Sequence, residues 1–226
     1  MISSSKPVLK IDWATHEAAR YAVENWHYSR TMPKSKLVKF GVWEDGKYVG
    51  VVVYGVGATS ELVKRYGLNS IEGCELVRVA LTSHRTEVSR IIAITLRLLK
   101  KSFKGLRLVV SFADPAQGHH GGIYQAGGWI YSGMSAVSDE YIYKGKQWQG
   151  RSFRNSYKGM ENHPDVVKVK GTAKLRYLMP LDVGIRDRIV SLSKSYPKRT
   201  KEQDAGNHPA LGGVTPTRAL HNEATL

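Results

Sequence analysis

Between Glu75 and Ala113 the chain runs strand, helix, strand, and no other stretch restricts the fold as much. Glu75–Leu81 (ELVRVAL) alternates as a half-buried strand does. Val88, Ile91, Ile92, Thr95, Leu98 and Leu99 then recur on one helical face, with Arg90, Arg97, Lys100 and Lys101 elsewhere. Gly105 closes that helix, and Leu106–Ala113 reads as the second strand. A βαβ unit of this kind is expected to be parallel and right-handed, which places the chain among α/β folds with helices flanking a mixed sheet.

The flanking segments extend that frame. Residues 1–10 read as an extended lead-in. Thr15 caps a helix with Glu17 in its first turn, and Ala18, Ala19, Ala22, Val23 and Trp26 give it an apolar face. The helix ends near Trp26–Tyr28, with Pro33 shortly beyond. Leu37–Trp43 and Tyr48–Tyr54 are strands joined through Asp45-Gly46, a strong hairpin signal. Residues 55–73 read as irregular, with a short helix around Glu61–Tyr66. Ser138–Tyr143 and Leu175–Leu178 are expected as strands and Asp182–Leu192 as a short helix. One domain over residues 1–199 accounts for all of this, and 200–226, where no apolar period survives, is expected to be a disordered tail.

Ser111–Gly133 (SFADPAQGHHGGIYQAGGWIYSG) carries more polar and hinge residues than a connection between buried strands needs. Asp-Pro-x-x-Gly at a strand's C-terminal end is loop chemistry of the kind on which sites are built. Asp114 suits a turn cap, a proton acceptor or a hard-metal ligand. Tyr124 suits core or site, Trp129 reads as core, and the glycines after His119-His120 point to a backbone role there. His27-Tyr28, after the first helix, is the second polar candidate. Arg78, expected on the opposite sheet face from Val77 and Val79, is either a site cation or a structural ion-pair partner of Glu75 or a neighbour. Ser89 lies where a hydroxyl can contact a donor group.

Charge adds a partner class. Lys and Arg total 34 against 19 Asp and Glu, a formal charge of +15. The excess is concentrated from Lys144 onward: Lys144, Lys146, Arg151, Arg154, Lys158, Lys168, Lys170, Lys174 and Arg176. Tyr141, Tyr143, Trp148, Phe153, Tyr157 and Tyr177 interleave with them, and cations beside stacking rings suit a nucleic-acid strand. A single cysteine, Cys74, forms no intramolecular bridge, which fits a reducing compartment. No apolar run is long enough for a bilayer and no secretory leader is evident, so a cytosolic protein is expected.

The order helix, hairpin, strand–helix–strand, short helix, strand resembles the GNAT acyltransferase fold. In that fold a loop of the form Gln/Arg-x-x-Gly-x-Gly/Ala before the central helix holds the coenzyme A pyrophosphate on backbone N–H groups. Here the stretch is Arg85–Arg90, and Val88 and Arg90 stand at both glycine positions, which disfavours acyl-CoA as donor. Trp26-His27-Tyr28-Ser29, Cys74–Arg78, Phe112–His119, Lys174–Leu181 and Tyr196–Arg199 together resemble the Mom proteins of Mu-like bacteriophages over nearly the whole chain before the tail.

That resemblance implies a GNAT-like enzyme that places a carbamoylmethyl group on N6 of adenine in double-stranded phage DNA, protecting it from restriction inside the infected host. It implies an iron requirement and sets His27, Tyr28, Asp114 and Tyr124 on functional positions; a set of histidine, carboxylate and tyrosine oxygen would suit iron, with His27 and Asp114 as the expected members. A base within a duplex is out of reach, so the adenine is expected to be flipped out. Two other readings compete: a GNAT-type N-acetyltransferase for a protein or small-molecule amine, and a basic nucleic-acid-binding module on an inactive enzyme fold.

Overall fold

The computed structural model describes residues 6–56 and 61–198, so the expected tail over 200–226 lies outside the described residues. The elements are β1 (Leu9–Trp13), α1 (His16–Trp26), β2 (Leu37–Glu44), β3 (Lys47–Gly55), β4 (Gly73–Leu81), α2 (Val88–Ser102), β5 (Leu108–Ala113), α3 (Gly122–Ala126) and β6 (Ile130–Met134). They continue with β7 (Asp139–Tyr143), β8 (Lys146–Gln149), α4 (Gly150–Ser156), β9 (Val167–Lys170), β10 (Leu175–Pro180) and α5 (Val183–Ile189). Seven strands form one sheet in the order β1-β2-β3-β4-β5-β10-β6, and β8-β7-β9 form a second. In the large sheet only β4 and β5 run parallel, as the βαβ unit requires.

Local chemistry accounts for most boundaries. Thr15 Oγ1 accepts the N–H of Ala18 at 3.1 Å and starts α1. The β2–β3 hairpin turns on Asp45 (φ 49°) and Gly46 (φ 79°), both left-handed as a type I′ turn demands. Asp182 accepts the N–H of Ile185 at 2.9 Å and starts α5. The lead-in expected over residues 1–10 is corrected in its second half. Leu9 and Ile11 alternate with Lys10 and Asp12, and β1 pairs antiparallel with β2 along its length. Five residues are too short a period to be read before their partner strand is known.

The sheet is covered on both faces. Ile91, Ile92 and Leu99 of α2 pack with Val52, Tyr54, Leu76, Val109, Trp129 and Tyr177 on one face, where Trp129 is core as expected. On the opposite face α1 packs Ala19, Ala22 and Val23 against Val51, Val53 and Ala80. There too α5 sets Ile185 and Ile189 on Leu108, Val110 and Leu178, with Val63 and Tyr66 from the short helical segment before β4.

The expected alternation of Val77 and Val79 on one face fails. The β3–β4 register shifts between Val53 and Tyr54, which face Arg78 and Leu76, so Val77 is an extra residue in β4. Val77 therefore packs toward α1, while Val79 packs toward α2.

In the small sheet the aromatic residues among the cations form a hydrophobic nucleus of their own, with Tyr141 and Phe153 buried and Tyr143, Trp148 and Tyr157 partly exposed. Tyr141 stacks on Phe153 at 4.6 Å, and Tyr157 contacts Tyr143, Trp148 and Phe153 at 5.0, 5.3 and 5.2 Å. Three short strands and α4 bury little else, so these rings hold them together.

Candidate active site

Parallel pairing of β4 with β5 stops after Leu76 and Ser111. Beyond that point the strands part, and a cleft of 660 Å³ opens between Val77–Leu81 and Phe112–Ala113. Its ends are closed by the N-terminus of α2, the segment Gly118–Gly122 with α3, and His27-Tyr28. The carboxyl ends of parallel strands are where open α/β sheets bind ligands.

His27, Tyr28, Arg78, Ser89 and Tyr124 all line this cleft, as do His84, Glu87, His119 and His120. His27 Nδ1 accepts the backbone N–H of Ser29 at 3.1 Å and lies 2.9 Å from Ser29 Oγ. Its neutral ring therefore carries its proton on Nε2. Burial, reinforced by Arg78 and His119, lowers its pKa to about 3. At neutral pH His27 is therefore a neutral hydrogen-bond donor and a weakened base. Its ring lies 4.3 Å from that of Tyr28, which in turn meets His119 edge-on at 5.3 Å.

His119 is the site residue that sequence reasoning missed, having given the pair His119-His120 only a backbone role. Asp114 caps the turn Pro115–Gln117 by accepting the N–H of Ala116 at 3.0 Å, and His119 N donates back to the Asp114 carbonyl at 3.1 Å. That closed turn aims the His119 side chain at Tyr28. Burial lowers the His119 pKa, and the Asp114 charge pulls it back up. Gly121 follows at φ 82°, with room for no side chain: a Cβ there would lie 2.3 Å from the Tyr177 ring. Tyr177 Oη donates to the His120 carbonyl at 2.7 Å and fixes the segment from below.

Asp114 itself is not on the cleft wall. Its carboxylate pairs with Lys174 Nζ at 3.3 Å and accepts from Thr172 Oγ1 at 3.4 Å, behind His119. The expected metal pair of His27 and Asp114 is therefore not assembled. Among the described residues no three His, Cys, Asp or Glu side chains come together as a group that could hold a metal ion.

Tyr124 forms the cleft floor. Ser111 Oγ lies 2.9 Å from the Leu76 carbonyl and 2.8 Å from Tyr124 Oη. Its single proton goes to the carbonyl, so it accepts the phenol proton. Burial raises the Tyr124 pKa to about 12, which keeps it a neutral phenol. Arg78 is a clamp. Its Nη1 donates to the Val77 carbonyl at 2.7 Å, and its Nη2 reaches the Thr31 carbonyl at 3.3 Å, tying β4 to the segment that carries His27-Tyr28. Burial lowers the Arg78 pKa, and the charges of Tyr28 and Glu75 pull it back up.

The loop before α2 has an occupant of its own. The Glu44 carboxylate accepts the N–H of Arg85 at 2.8 Å and of Thr86 at 2.6 Å, and Arg85 also pairs with Asp45. Burial disfavours the Glu44 charge, but these donors outweigh it and keep the acid ionised. Two amides of the loop are thus already bound to an anion belonging to the protein. Ser89, in the first turn of α2, still faces the cleft.

The expected basic surface is divided. Lys144 Nζ and Lys146 Nζ lie over the Tyr143 and Trp148 rings at 5.3 and 4.4 Å, on the β7–β8 hairpin. Lys158 is exposed, and Arg154 Nη1 donates to Tyr141 Oη at 3.4 Å. Lys168 and Lys170 both pair with Asp139. Arg151 lies on α4, with its side chain outside the described residues. Arg176 lies in β10 of the large sheet with Nη2 on the Met134 carbonyl at 3.0 Å, and Lys174, just before β10, pairs with Asp114. Among the described residues no helix is long and apolar enough to cross a membrane.

Residues 8–198 match the model of the Mom protein family. Methylcarbamoylase mom of Escherichia phage Mu is 27% identical over 129 residues, covering 55% of this chain and 54% of that protein, so the match spans about half of that relative's length. Among solved structures, an N-acyl amino acid synthase from uncultured soil microbes superposes with a TM-score of 0.47 at 11% identity, covering 84% of this chain and 99% of that one. A GNAT-family acetyltransferase from Desulfovibrio desulfuricans gives a TM-score of 0.41 at 12% identity, covering 77% and 100%. The chain belongs to the Mom protein family.

Proposed function

We propose that this chain is a phage DNA-modification transferase that places a carbamoylmethyl group on N6 of adenine, in a base flipped out of duplex DNA into the cleft between β4 and β5. The reaction is carried over from the relative named methylcarbamoylase. The observation that carries the reading onto this chain is the convergence of His27, Tyr28 and His119 at one end of a 660 Å³ cleft. A cleft of that volume holds a purine with room for a small transferred group. Action inside the infected host, as protection of phage DNA, follows from the same reading.

The adenine amine is a weak nucleophile because its lone pair is delocalised into the ring. As its nitrogen bonds to the methylene carbon of an activated carbamoylmethyl donor, the bond from that carbon to its leaving group breaks and the leaving group keeps the electron pair. The nitrogen must then lose a proton. His119 is the neutral imidazole placed to take it, with the Asp114 charge behind it to favour the resulting imidazolium. Asp114 is then a positioning residue. His27, fixed as an Nε2–H donor, is suited to hold a carbonyl oxygen or a ring nitrogen. Tyr28, with 51% of its surface exposed, offers a face on which the flipped base can stack.

Nucleoside analysis by liquid chromatography and mass spectrometry, on DNA from cells expressing the protein, tests the reading. A modified deoxyadenosine supports it. Acetylated protein or small-molecule amines beside unmodified DNA would move the activity to an acetyltransferase.

A further inference from the structure

A second cavity, of 600 Å³, lies on the face of the sheet covered by α5 and is bounded by Arg65, Tyr66, Ser132, Arg176 and Lys194. Three of these five are cations, and no acidic residue lines the cavity among the described residues. Arg65 and Lys194 are exposed at its mouth. Arg176 is held by the Met134 carbonyl, and Lys194 N donates to the Tyr131 carbonyl at 2.8 Å, so both are fixed at one end. Lys194 can fold inward because residue 133 is glycine, at φ 91°: its Nζ lies 3.1 Å from where a Cβ would stand. Gathering three like charges without a counter-charge is unfavourable unless an anion joins them.

The hydroxyl groups are the independent observation. Tyr66 is 5% exposed, and its Oη is buried without a hydrogen-bond partner; Ser132 Oγ is in the same condition. Unpaired buried hydroxyls are rare because each forfeits its bonds to water. Here the two residues that carry them line the same cavity as the three cations. Donors arrive from the turn before β4, from β6, from β10 and from the segment after α5. Such convergence from several directions suits the tetrahedral oxygens of a phosphate better than a planar carboxylate.

We infer that this cavity binds a phosphate group, and that the group is a backbone phosphodiester of the DNA strand whose base enters the cleft. Arg176 sits opposite Phe112 in the β10–β5 register, and Phe112 is a wall of the cleft. The two cavities are thus joined through the neighbouring strands β5 and β10, close enough for one DNA strand to have a phosphate held in one and a neighbouring base extruded into the other. This assignment of the strand rests on the proposed function; the phosphate chemistry does not.

The test uses the full chain and two probes. Inorganic phosphate, followed by calorimetry and thermal melting, should bind the wild type at one saturable site. Tyr66→Phe should melt no lower than wild type without phosphate, since it removes only an unpaired hydroxyl, and should lose most of the phosphate response. The double variant Arg176→Gln, Lys194→Gln should lose it entirely. For a duplex oligonucleotide followed by anisotropy, both variants should bind about tenfold more weakly, and the log–log salt slope should shrink by ~0.9 in the double variant. Variants that respond to phosphate as the wild type does would overturn the site. Loss of the phosphate response with an unchanged DNA salt slope would overturn the strand assignment and give the site to a small phosphorylated ligand. The first arm contains no DNA, so its failure is distinct from failure of the modification reading.

Discussion

The Glu44 carboxylate lies 2.6 Å from the amide nitrogen of Thr86, in the loop that a GNAT fold keeps for pyrophosphate. An anion held by the protein's own side chain leaves less room and less positive potential there for another. Coenzyme A is therefore expected not to bind measurably in calorimetry, and stoichiometric binding would contradict this. Glu44→Ala should destabilise the protein by about 2–3 kcal/mol in denaturant melts, because two donors lose a charged acceptor. A variant as stable as wild type would show that water replaces the carboxylate freely.

His27 makes a stability prediction whose sign follows from its burial. Its folded pKa, about 3, lies below the ordinary value of 6.5. Between those values the unfolded chain binds a proton that the folded chain refuses, so unfolding is favoured as pH falls through that window. Denaturant melts should show stability rising from acid pH and levelling off near neutrality. His27→Gln should flatten the rise while keeping the side chain polar. An identical pH dependence in the variant would mean that His27 titrates in the fold as it does in the unfolded chain.

His119 and Asp114 are separable by kinetics. His119→Gln should lower the modification rate about 10²–10⁴-fold, the span expected for a proton acceptor. Asp114→Asn retains a side chain able to cap the turn at Ala116 but removes the charge that raises the His119 pKa. Its rate should fall less, and its acid limb should move to lower pH. A purely structural role for Asp114 would reduce the amount of folded enzyme and leave the limb where it was.

Much of this was legible in the residues. The βαβ unit, the Asp45-Gly46 hairpin, the Thr15 cap and the Trp129 core followed from period and turn chemistry, which act locally. His27, Tyr28, Arg78, Ser89 and Tyr124 were each singled out, and all five line one cleft. What could not be read was long-range. The rings around Lys144 pack on one another, which is visible only once β7, β8 and α4 are packed. The bulge at Val77 arises from pairing with β3, so alternation along β4 misplaced its face. The direction of His119 depends on how the Asp114 turn closes, and the role of Glu44 on a loop 41 residues away.

The central claim is that the cleft transfers a carbamoylmethyl group to adenine N6, and tandem mass spectrometry of digested DNA tests it most directly. Wild-type protein should yield deoxyadenosine heavier by one carbamoylmethyl group in place of a hydrogen, with fragmentation placing the group on the exocyclic nitrogen. His119→Gln protein that folds and still binds duplex DNA should yield little or none. Four unmodified deoxynucleosides from cells that hold folded wild-type protein, or a group attached at a ring nitrogen or another base, would contradict the account.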